Sequence, residues 1–549
     1  MEYKRAILFK YFVGKQFKMK DLIGGKSFKW TTLSHNGVMF PDEYQYKKIP
    51  ILYSGQEIIL NEKAEEAAFL YAKYIDTEYI TNATFNKNFF NDWKKLLGKD
   101  SIIQNLSSCD FKNMKKYLEK EKELKKESKD KKKNKDNKNK DKDDDKYKIA
   151  VIDGKEQTVS NYKMEPPAIF IGRGKNPNLG KIKKRIYPED VILNLGKGVS
   201  VPEIIINGKM HKWKKIIHDR NVEWLASWKD TITNKTKYLW LSAHSELKAN
   251  SDEKKFDLAR KLKKKIKTIN ELNDKNLKSD DIKIKQIATA LFFIDKLALR
   301  VGNEKGDDSA DTVGTTNLRV EHIDVSKENV ITLNFLGKDS VPYTNTVTVA
   351  TQIYNNICEF IKGKEKDEQI FDKINSNDVN KYLQEFMKDL TAKVYRTYNA
   401  SNVFQKELKK INAKFTDNSN IKELMDEYIK ANAKVAKIMN HQKNVSIGYK
   451  NNVQKITKKI SDLQKKLKEE SNSNKTKNIK DKIKNMKSKM SVVKEMKNIS
   501  LGTSKMNYID PRISVAFMKK HNVDVNKIFT KTLQNKFQWA FSVDENFKF

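Results

Sequence analysis

Two short heptad arms separated by a polar break constrain this chain more than any other feature. Val453, Ile456, Ile460, Leu463 and Leu467 follow a three-four spacing, residues 471–475 interrupt it with turn formers, and Ile479, Ile483, Met486, Met490 and Val493 resume it. Apolar residues at that spacing line one stripe of a helix, which a second helix must cover. With the break in the middle, the spacing predicts an antiparallel helical hairpin whose arms are only ~25 Å long at 1.5 Å per residue. A dimerising coiled coil fits less well, because the break falls at its centre. Most other positions are lysine, so the hairpin is expected to project into solvent or lie along phosphates.

The lysine excess extends over the chain: 110 Lys and Arg stand against 71 Asp and Glu in 549 residues, a formal net charge of +39. Such an excess favours a polyanionic partner, either nucleic acid or an anionic membrane surface. A Lys- and Asn-rich surface of the kind AT-rich genomes encode gives a similar composition. Hydrophobic residues still make up 38%, enough for real cores, and the length implies several domains. No stretch approaches ~20 apolar residues, so no membrane span is expected. Residues 6–12 are too short and interrupted for a secretory signal. Cys109 and Cys358 form neither a disulfide framework nor a zinc cluster, which fits a reducing compartment. No glycine-rich loop followed by Lys-Ser/Thr points to ATP-driven chemistry.

Along the chain, residues 26–115 read as a mixed module. Tyr53-Ser-Gly-Gln56 marks a hairpin turn, and residues 63–76 have helical periodicity with Ala67, Leu70, Tyr71 and Tyr74 on one face. Residues 119–147 are nearly all Lys, Glu, Asp and Asn, and from Ser128 they lack apolar anchors, so they read as a helix tail running into disorder. Residues 148–242 hold short β-like runs with Trp213, Trp224, Trp228 and Trp240, and a cation-bearing glycine turn, Gly172-Arg-Gly-Lys-Asn-Pro177. Residues 281–300 predict a strong helix with Ile284, Ile287, Leu291, Ile294 and Ala298 on one face, capped by Ser279 or Asp280 and closed by Gly302. Residues 330–335 and 341–349 read as strands around the turn Gly337-Lys338-Asp339, and residues 381–398 and 421–439 as helices. The last segment contains Trp539 and Phe541.

Several longer motifs carry a resemblance. Lys296-Leu-Ala-Leu-Arg-Val-Gly-Asn-Glu-Lys305, Ala310-Asp-Thr-Val-Gly314 and Leu318-Arg-Val-Glu-His322 resemble the core of eukaryotic type IB DNA topoisomerases. So do Phe335-Leu-Gly-Lys-Asp-Ser340, Leu390-Thr-Ala-Lys-Val-Tyr-Arg-Thr-Tyr-Asn-Ala-Ser401, Asn440-His-Gln442 and Leu501-Gly-Thr-Ser-Lys-Met-Asn-Tyr-Ile-Asp-Pro-Arg-Ile513. Weaker similarity runs back through Glu165-Pro-Pro-Ala-Ile-Phe-Ile-Gly-Arg-Gly174 to about Lys29, so the resemblance covers nearly the whole chain in order. It implies a mixed α and β, predominantly helical, two-lobed DNA clamp whose catalytic core is related to tyrosine recombinases. The expected domains are a short segment 1–25, a DNA-binding cap 26–242 with a low-complexity insert 126–146, a catalytic core 243–443, a helical linker 444–496 and a C-terminal domain 497–549 carrying the nucleophile.

By the same resemblance the catalytic set is Arg300, Lys338, Arg396, His441 and Tyr508. The residue types suit the chemistry. Attack on a phosphodiester builds negative charge on its non-bridging oxygens, which preorganised donors stabilise. Arg300 and Arg396 offer forked, permanently charged donors, and His441 adds another. Tyr508 supplies the phenol nucleophile, and Lys338, on a tight turn, is the candidate acid for the 5′ oxygen, helped by desolvation and neighbouring cations. Each also has an ordinary structural reading: a helix-end cation for Arg300, a turn lysine for Lys338, a helix-end histidine for His441 and a half-buried core tyrosine for Tyr508. Arg173, Asp339, Gln442, Thr503 and Asn507 are the implied further DNA contacts. Arg173, Asp339 and Asn507 border the place where camptothecin-type inhibitors stack in the family.

The implied activity is relaxation of positive and negative supercoils through a 3′-phosphotyrosyl intermediate, swivelling and religation, without ATP, cofactor or essential metal. The expected partner is double-stranded DNA and the expected state a monomer, placed in the nucleus, or in a viral factory or virion if the chain is viral. Three departures from the family stand out: only about 25 residues precede the matching region, where a long charged extension with import signals is usual; the Lys- and Asn-rich segment 126–146 is longer and less helical than expected; and the linker is shorter than usual. The rival readings are a tyrosine recombinase, which uses the same chemistry in a site-specific tetramer, and a non-catalytic architectural DNA-binding protein.

Overall fold

Short strands dominate before residue 242 and helices after it, and the two regimes largely separate in space. The computed structural model describes residues 28–549 apart from 133–141, 173, 244, 304–310, 416–419, 444, 446–447 and 471. One compact unit holds residues 28–172 and 176–248, and the other holds residues 249–549 with the 174–175 segment. No helix among the described residues is long and apolar enough to cross a membrane.

The first unit has two apolar cores. In one, Ile51–Tyr53 pairs antiparallel with Gln56–Ile58, and Ser54 (φ 48°) and Gly55 (φ 86°) both take the left-handed conformation of a two-residue hairpin turn. Ala67, Leu70 and Tyr71 of the helix Glu62–Ala72 pack with Phe85, Phe89 and Trp93 of the helix Ala83–Leu97. The first of these helices stops four residues before the periodicity does. Tyr74 lies beyond it in a turn, its ring edge-on to Tyr79 and Phe85. The helix Lys112–Lys132 carries the start of the lysine-rich run; much of the expected disorder falls at 133–141, outside the described residues. The other core gathers Trp30, Leu33, Leu193, Trp228 and Leu239. It is built on a four-stranded sheet in the order Lys215–Ile217, Ile192–Asn194, Ala226–Lys229, Thr236–Leu239, in which only the first pair is parallel.

The second unit has one large core. Phe256, Leu262 and Ile269 enter it from the helix Glu246–Asn276, and Ile287, Leu291 and Ile294 from Ile282–Lys296. Tyr395, Phe404 and Leu408 come from Ala392–Lys414, and Leu424 and Tyr428 from Ile421–Ile438. Ile509, Ile513, Phe517, Phe529, Phe537 and the C-terminal Phe549 lie in the same core, so the segment that carries Tyr508 is packed into these helices. A three-stranded antiparallel sheet, in the order Ile323–Asp324, Val330–Gly337, Val341–Thr348, covers one flank with Ile331, Leu333 and Phe335 inward.

Two helices differ from expectation. The helix predicted over 281–300 spans only Ile282–Lys296. Its cap is Asp281, whose carboxylate accepts from the backbone of Lys283 and Ile284, whereas Ser279 instead accepts from Asp281. It ends because Ala298 takes a left-handed conformation (φ 52°), which frees residues 299–303 to run as a loop. The helix predicted over 381–398 is two, Ser376–Phe386 and Ala392–Lys414. Asp389 breaks it at φ 65°, and the Asn380 side chain accepts from the first amide of the second helix, Ala392, at 3.0 Å.

The hairpin is present, as Gly448–Glu469 and Ser473–Glu495, with Asn472 capping the second arm. At 1.5 Å per residue each arm is ~33–35 Å long, more than the apolar spacing alone suggests. Among the hairpin's described residues only Ile456, Ile483, Met490 and Val492 are buried. The second arm is not free in solvent, because it lies along the helix Ile421–Ile438. Lys484 pairs with Glu423 at 2.7 Å, Ser488 donates to Asp426 at 2.5 Å, and Lys437 pairs with Glu495 at 3.0 Å.

Candidate active site

Five segments far apart in sequence converge in the second unit, each held by its own local device. Arg300 sits in the loop after Ala298, beyond the helix end, so it is not a helix cap. Its carbonyl accepts from both the amide (2.8 Å) and the hydroxyl (3.0 Å) of Thr315, and Val301 is held the same way by Thr316 at 2.7 and 3.0 Å. This seating requires glycine twice: Gly302 has φ +91°, and a Cβ on Gly314 would stand 2.6 Å from Gly302 and 2.8 Å from the Arg300 carbonyl. Gly302 therefore serves a close approach of two loops, where the sequence suggested a helix stop.

Lys338 lies at the expected turn between strands, exposed, followed by Asp339 (φ 68°) and Ser340 (φ 57°) in left-handed conformations. Two such residues in succession without glycine make a strained turn. A cleft lined by Arg300, Gly337, Lys338, Tyr343, Arg396 and Met439 brings this turn to the two arginines.

Arg396 projects from Ala392–Lys414 and is only 4% exposed. Its Nη1 donates to the carbonyl of Ala298 and its Nη2 to that of Met439 at 3.0 Å, while Nε has no partner among the described residues. One guanidinium thus ties the loop that bears Arg300 to the turn that bears His441.

That turn is encoded by Asn440. The helix Ile421–Ile438 ends with Asn440 left-handed (φ 52°), its amide bonded to the Lys437 carbonyl (3.0 Å) and the His441 amide to that of Ala436 (2.8 Å). This is the paired Schellman closure of a helix, with Asn in the place usually taken by Gly. It puts His441 directly past the helix. The His441 carbonyl then accepts from Ser500, and the Lys443 amide donates to Asn498, both at 2.8 Å, so the two ends of the hairpin are stitched beside the site. The His441 ring is buried; Nδ1 lies 2.6 Å from Ser504 Oγ, and Nε2 has no partner among the described residues. Burial, with Arg396 and Arg300 nearby, pushes its pKa down to about 3, so the imidazole is neutral at physiological pH.

Tyr508 follows the short helix Leu501–Asn507 and is 8% exposed. Its amide donates to the Ser504 carbonyl at 2.9 Å, and its carbonyl accepts from Ser401 Oγ at 3.1 Å. The ring centroid stands 5.3 Å from that of His441 and 5.2 Å from the Arg396 guanidinium carbon. Burial pushes the phenol up, but Arg396, Arg300 and Lys393 outweigh it and leave the pKa below that of an ordinary tyrosine. A core tyrosine in apolar surroundings goes the other way, as Tyr395 and Tyr428 do.

The remaining expected contacts are more scattered. Gln442 donates to Asn440 at 2.6 Å and lines a groove of about 500 Å³ with His441, Asn345, Lys296 and Lys437. Thr503 and Asn507 share the helix before Tyr508; Asn507 is exposed and donates to the Thr503 carbonyl at 3.2 Å. Arg173 lies outside the described residues. Four residues that carry the geometry were not singled out in the sequence: Tyr343 in the cleft, Lys393 one turn before Arg396, and the serines 401 and 504. All but Tyr343 lie inside the quoted motifs, but a lone serine or lysine gives no signal of its partner until the fold supplies it.

Similar proteins share this chain's whole layout. Residues 28–241 match the family described as eukaryotic DNA topoisomerase I, DNA binding fragment, residues 244–474 its catalytic core, and residues 480–549 the C-terminal topoisomerase domain. DNA topoisomerase 1 alpha of Arabidopsis thaliana is 41% identical over 550 residues, covering 95% of this chain and 59% of that protein. DNA topoisomerase 1 of Caenorhabditis elegans is 40% identical over 555 residues (95% and 68%), and that of Homo sapiens 37% over 556 (95% and 72%). The chain thus spans about three-fifths of the Arabidopsis relative's length.

Proposed function

The chain belongs to the eukaryotic DNA topoisomerase I family, and from that premise we propose that it relaxes positive and negative supercoils in duplex DNA by transient cleavage of one strand, swivelling and resealing, without ATP. The observation that carries this reading is the convergence of Arg300, Arg396 and His441 on a buried tyrosine whose phenol is held more acidic than usual.

In this reading the Tyr508 oxygen attacks the phosphorus, a bond from that oxygen to the 3′ phosphate forms, and the bond to the 5′ oxygen breaks. The phenol gives up its proton to water as it attacks, which the two adjacent guanidinium groups favour. As charge builds on the non-bridging oxygens, Arg300 and Arg396 meet it with fixed positive charge, and neutral His441 meets it with a single N–H from Nε2. Lys338, exposed on its strained turn, delivers a proton to the departing 5′ oxygen. The phosphotyrosyl bond conserves the energy of the broken one, so the free 5′ hydroxyl reseals the strand by the reverse attack. The surplus of lysine grips duplex phosphates with little reading of sequence.

The test is relaxation of a supercoiled plasmid in EDTA without ATP, comparing wild type with Tyr508→Phe. Relaxation of both signs by the wild type alone supports the assignment. DNA binding with no relaxation by either protein would favour an architectural role, and equal relaxation by both would discard Tyr508. The same reading makes the chain a nuclear monomer, with Gln442 and Thr503 on phosphates. It also places camptothecin-type inhibitors at the nick beside Asp339, Asn507 and Arg173, and a dose series that trapped no additional covalent complex would refute that.

A further inference from the structure

We propose that Ser504 is a positioning residue that fixes the tautomer of His441, donating its hydroxyl proton to Nδ1 so that Nε2 carries the hydrogen and faces the reacting phosphate. The inference rests on the reading of His441 as a phosphate donor. A neutral imidazole carries one hydrogen, on one nitrogen or the other, and the group bonded to one nitrogen decides which. Ser504 is fully buried, its Oγ stands 2.6 Å from Nδ1, and Nε2 is buried with no partner among the described residues. A lone buried N–H is costly unless something arrives to accept from it, and a phosphate oxygen would do so. The alternative arrangement, Nδ1–H donating to Ser504, turns a lone pair toward the phosphate and repels it.

Ser504 is well placed to hold this geometry. Its carbonyl accepts from the amides of Tyr508 (2.9 Å) and Ile509 (3.0 Å), so the residue that orients the histidine also anchors the nucleophile's backbone. The side chain and the main chain of one serine thus set the relation between two reacting groups.

The direct test is nitrogen NMR of the wild-type chain labelled on its histidines, with the His441 signals assigned by their loss in His441→Gln. The expected result is a hydrogen on Nε2 at neutral pH; a hydrogen on Nδ1 overturns the proposal whatever the protein's activity. The second test is single-turnover cleavage by Ser504→Ala, Ser504→Thr, His441→Ala and the Ser504→Ala/His441→Ala double variant. Ser504→Ala should be slower by about 10-fold, the factor that one net hydrogen bond of ~1.4 kcal/mol stands for. Ser504→Thr should recover most of that rate, and the double variant should be no slower than His441→Ala. Additive losses, or failure of threonine to rescue a variant that melts like the wild type, would show that the serine only fills space. Plasmid relaxation by the wild type tests the assigned activity separately, since the tautomer is read without it.

Discussion

Lysine at position 396 keeps a positive charge and removes everything else that arginine does there. Arg396 is 4% exposed and spends two of its donors on backbone, one on Ala298 and one on Met439. Hydrogen bonds to a charged group are worth ~1.5–3 kcal/mol each, and a buried acceptor left alone costs ~1–3 kcal/mol. An ammonium on a shorter reach can serve one of these carbonyls, not both, so Arg396→Lys should lose about 2 kcal/mol of stability. In a unit of this size that lowers the melting temperature by roughly 3 °C. The catalytic loss should be larger. The two carbonyls flank Arg300 and His441, so losing the fork loosens two phosphate donors as well as displacing a third. Removing a single preorganised donor commonly costs about 10²–10³ in rate, and single-turnover cleavage of a suicide oligonucleotide should fall at least that far, with duplex binding retained. Cleavage within about 10-fold of wild type, a change below ~1.4 kcal/mol, would refute the reasoning. So would a dead enzyme with an unchanged melting temperature, because the fork would then not be joining the two loops.

Arg300→Gln removes one of the two arginines that hold the Tyr508 phenol down against burial, so the phenol rises and the pH–rate curve for cleavage should move to higher pH; an unmoved curve with a lower plateau would mean Arg300 acts on the phosphate alone. His35 is buried with Nε2 2.9 Å from the Asn194 carbonyl and Nδ1 accepting from the Gly37 amide, and burial holds its pKa at about 4. The unfolded chain therefore takes up a proton near pH 6.5 that the folded one refuses, and stability should fall as pH drops from about 6.5 through 4, by on the order of 3 kcal/mol. A melting curve as steep in His35→Gln as in the wild type would assign that loss elsewhere. Ser401→Ala strands the Tyr508 carbonyl and the Asp510 amide, both of which it bonds at 3.0–3.1 Å. Melting and cleavage should both suffer, the former by about 2 kcal/mol, and retention of both would remove Ser401 from the site.

What could be read before folding depended on whether the signal was local. The periodicity over 421–439 encodes a helix that stops just before His441, the alternation over 330–349 encodes a hairpin, and the interrupted heptads encode the antiparallel arms, because each rests on contacts within a few residues. The ends of helices were less legible. Periodicity runs on through 297–300 and 387–391, yet the helices stop where Ala298 and Asp389 turn left-handed. Alanine gives no sign of this, and aspartate tolerates it without requiring it. Ala298 turns there in a chain whose carbonyl at that point is held by Arg396, and Leu390, beside Asp389, is buried in the core. Tertiary contacts override propensity at both points. The docking of the second hairpin arm was hidden for the same reason: Lys484, Ser488 and Glu495 read as solvent-facing until the helix Ile421–Ile438 supplies Glu423, Asp426 and Lys437.

The five site residues show the same division from the other side. None is distinguishable alone, since a basic chain contains many arginines and lysines in loops and on turns. Only the extended motifs around them pointed to a site, and the structure explains why the motifs are so long. Arg300 needs Thr315, Thr316 and two glycines to seat its loop; Arg396 needs the carbonyls of Ala298 and Met439; Tyr508 needs Ser401 and Ser504. Each reacting group is held by residues of another motif, so a change in one is felt in the next. The hairpin enters this arrangement at its base, where the backbone around His441 and Lys443 is bonded to Asn498 and Ser500. Two routes thus join the arms to the histidine: these 2.8 Å hydrogen bonds at the base, and the helix Ile421–Ile438 along which the second arm lies and at whose end His441 sits.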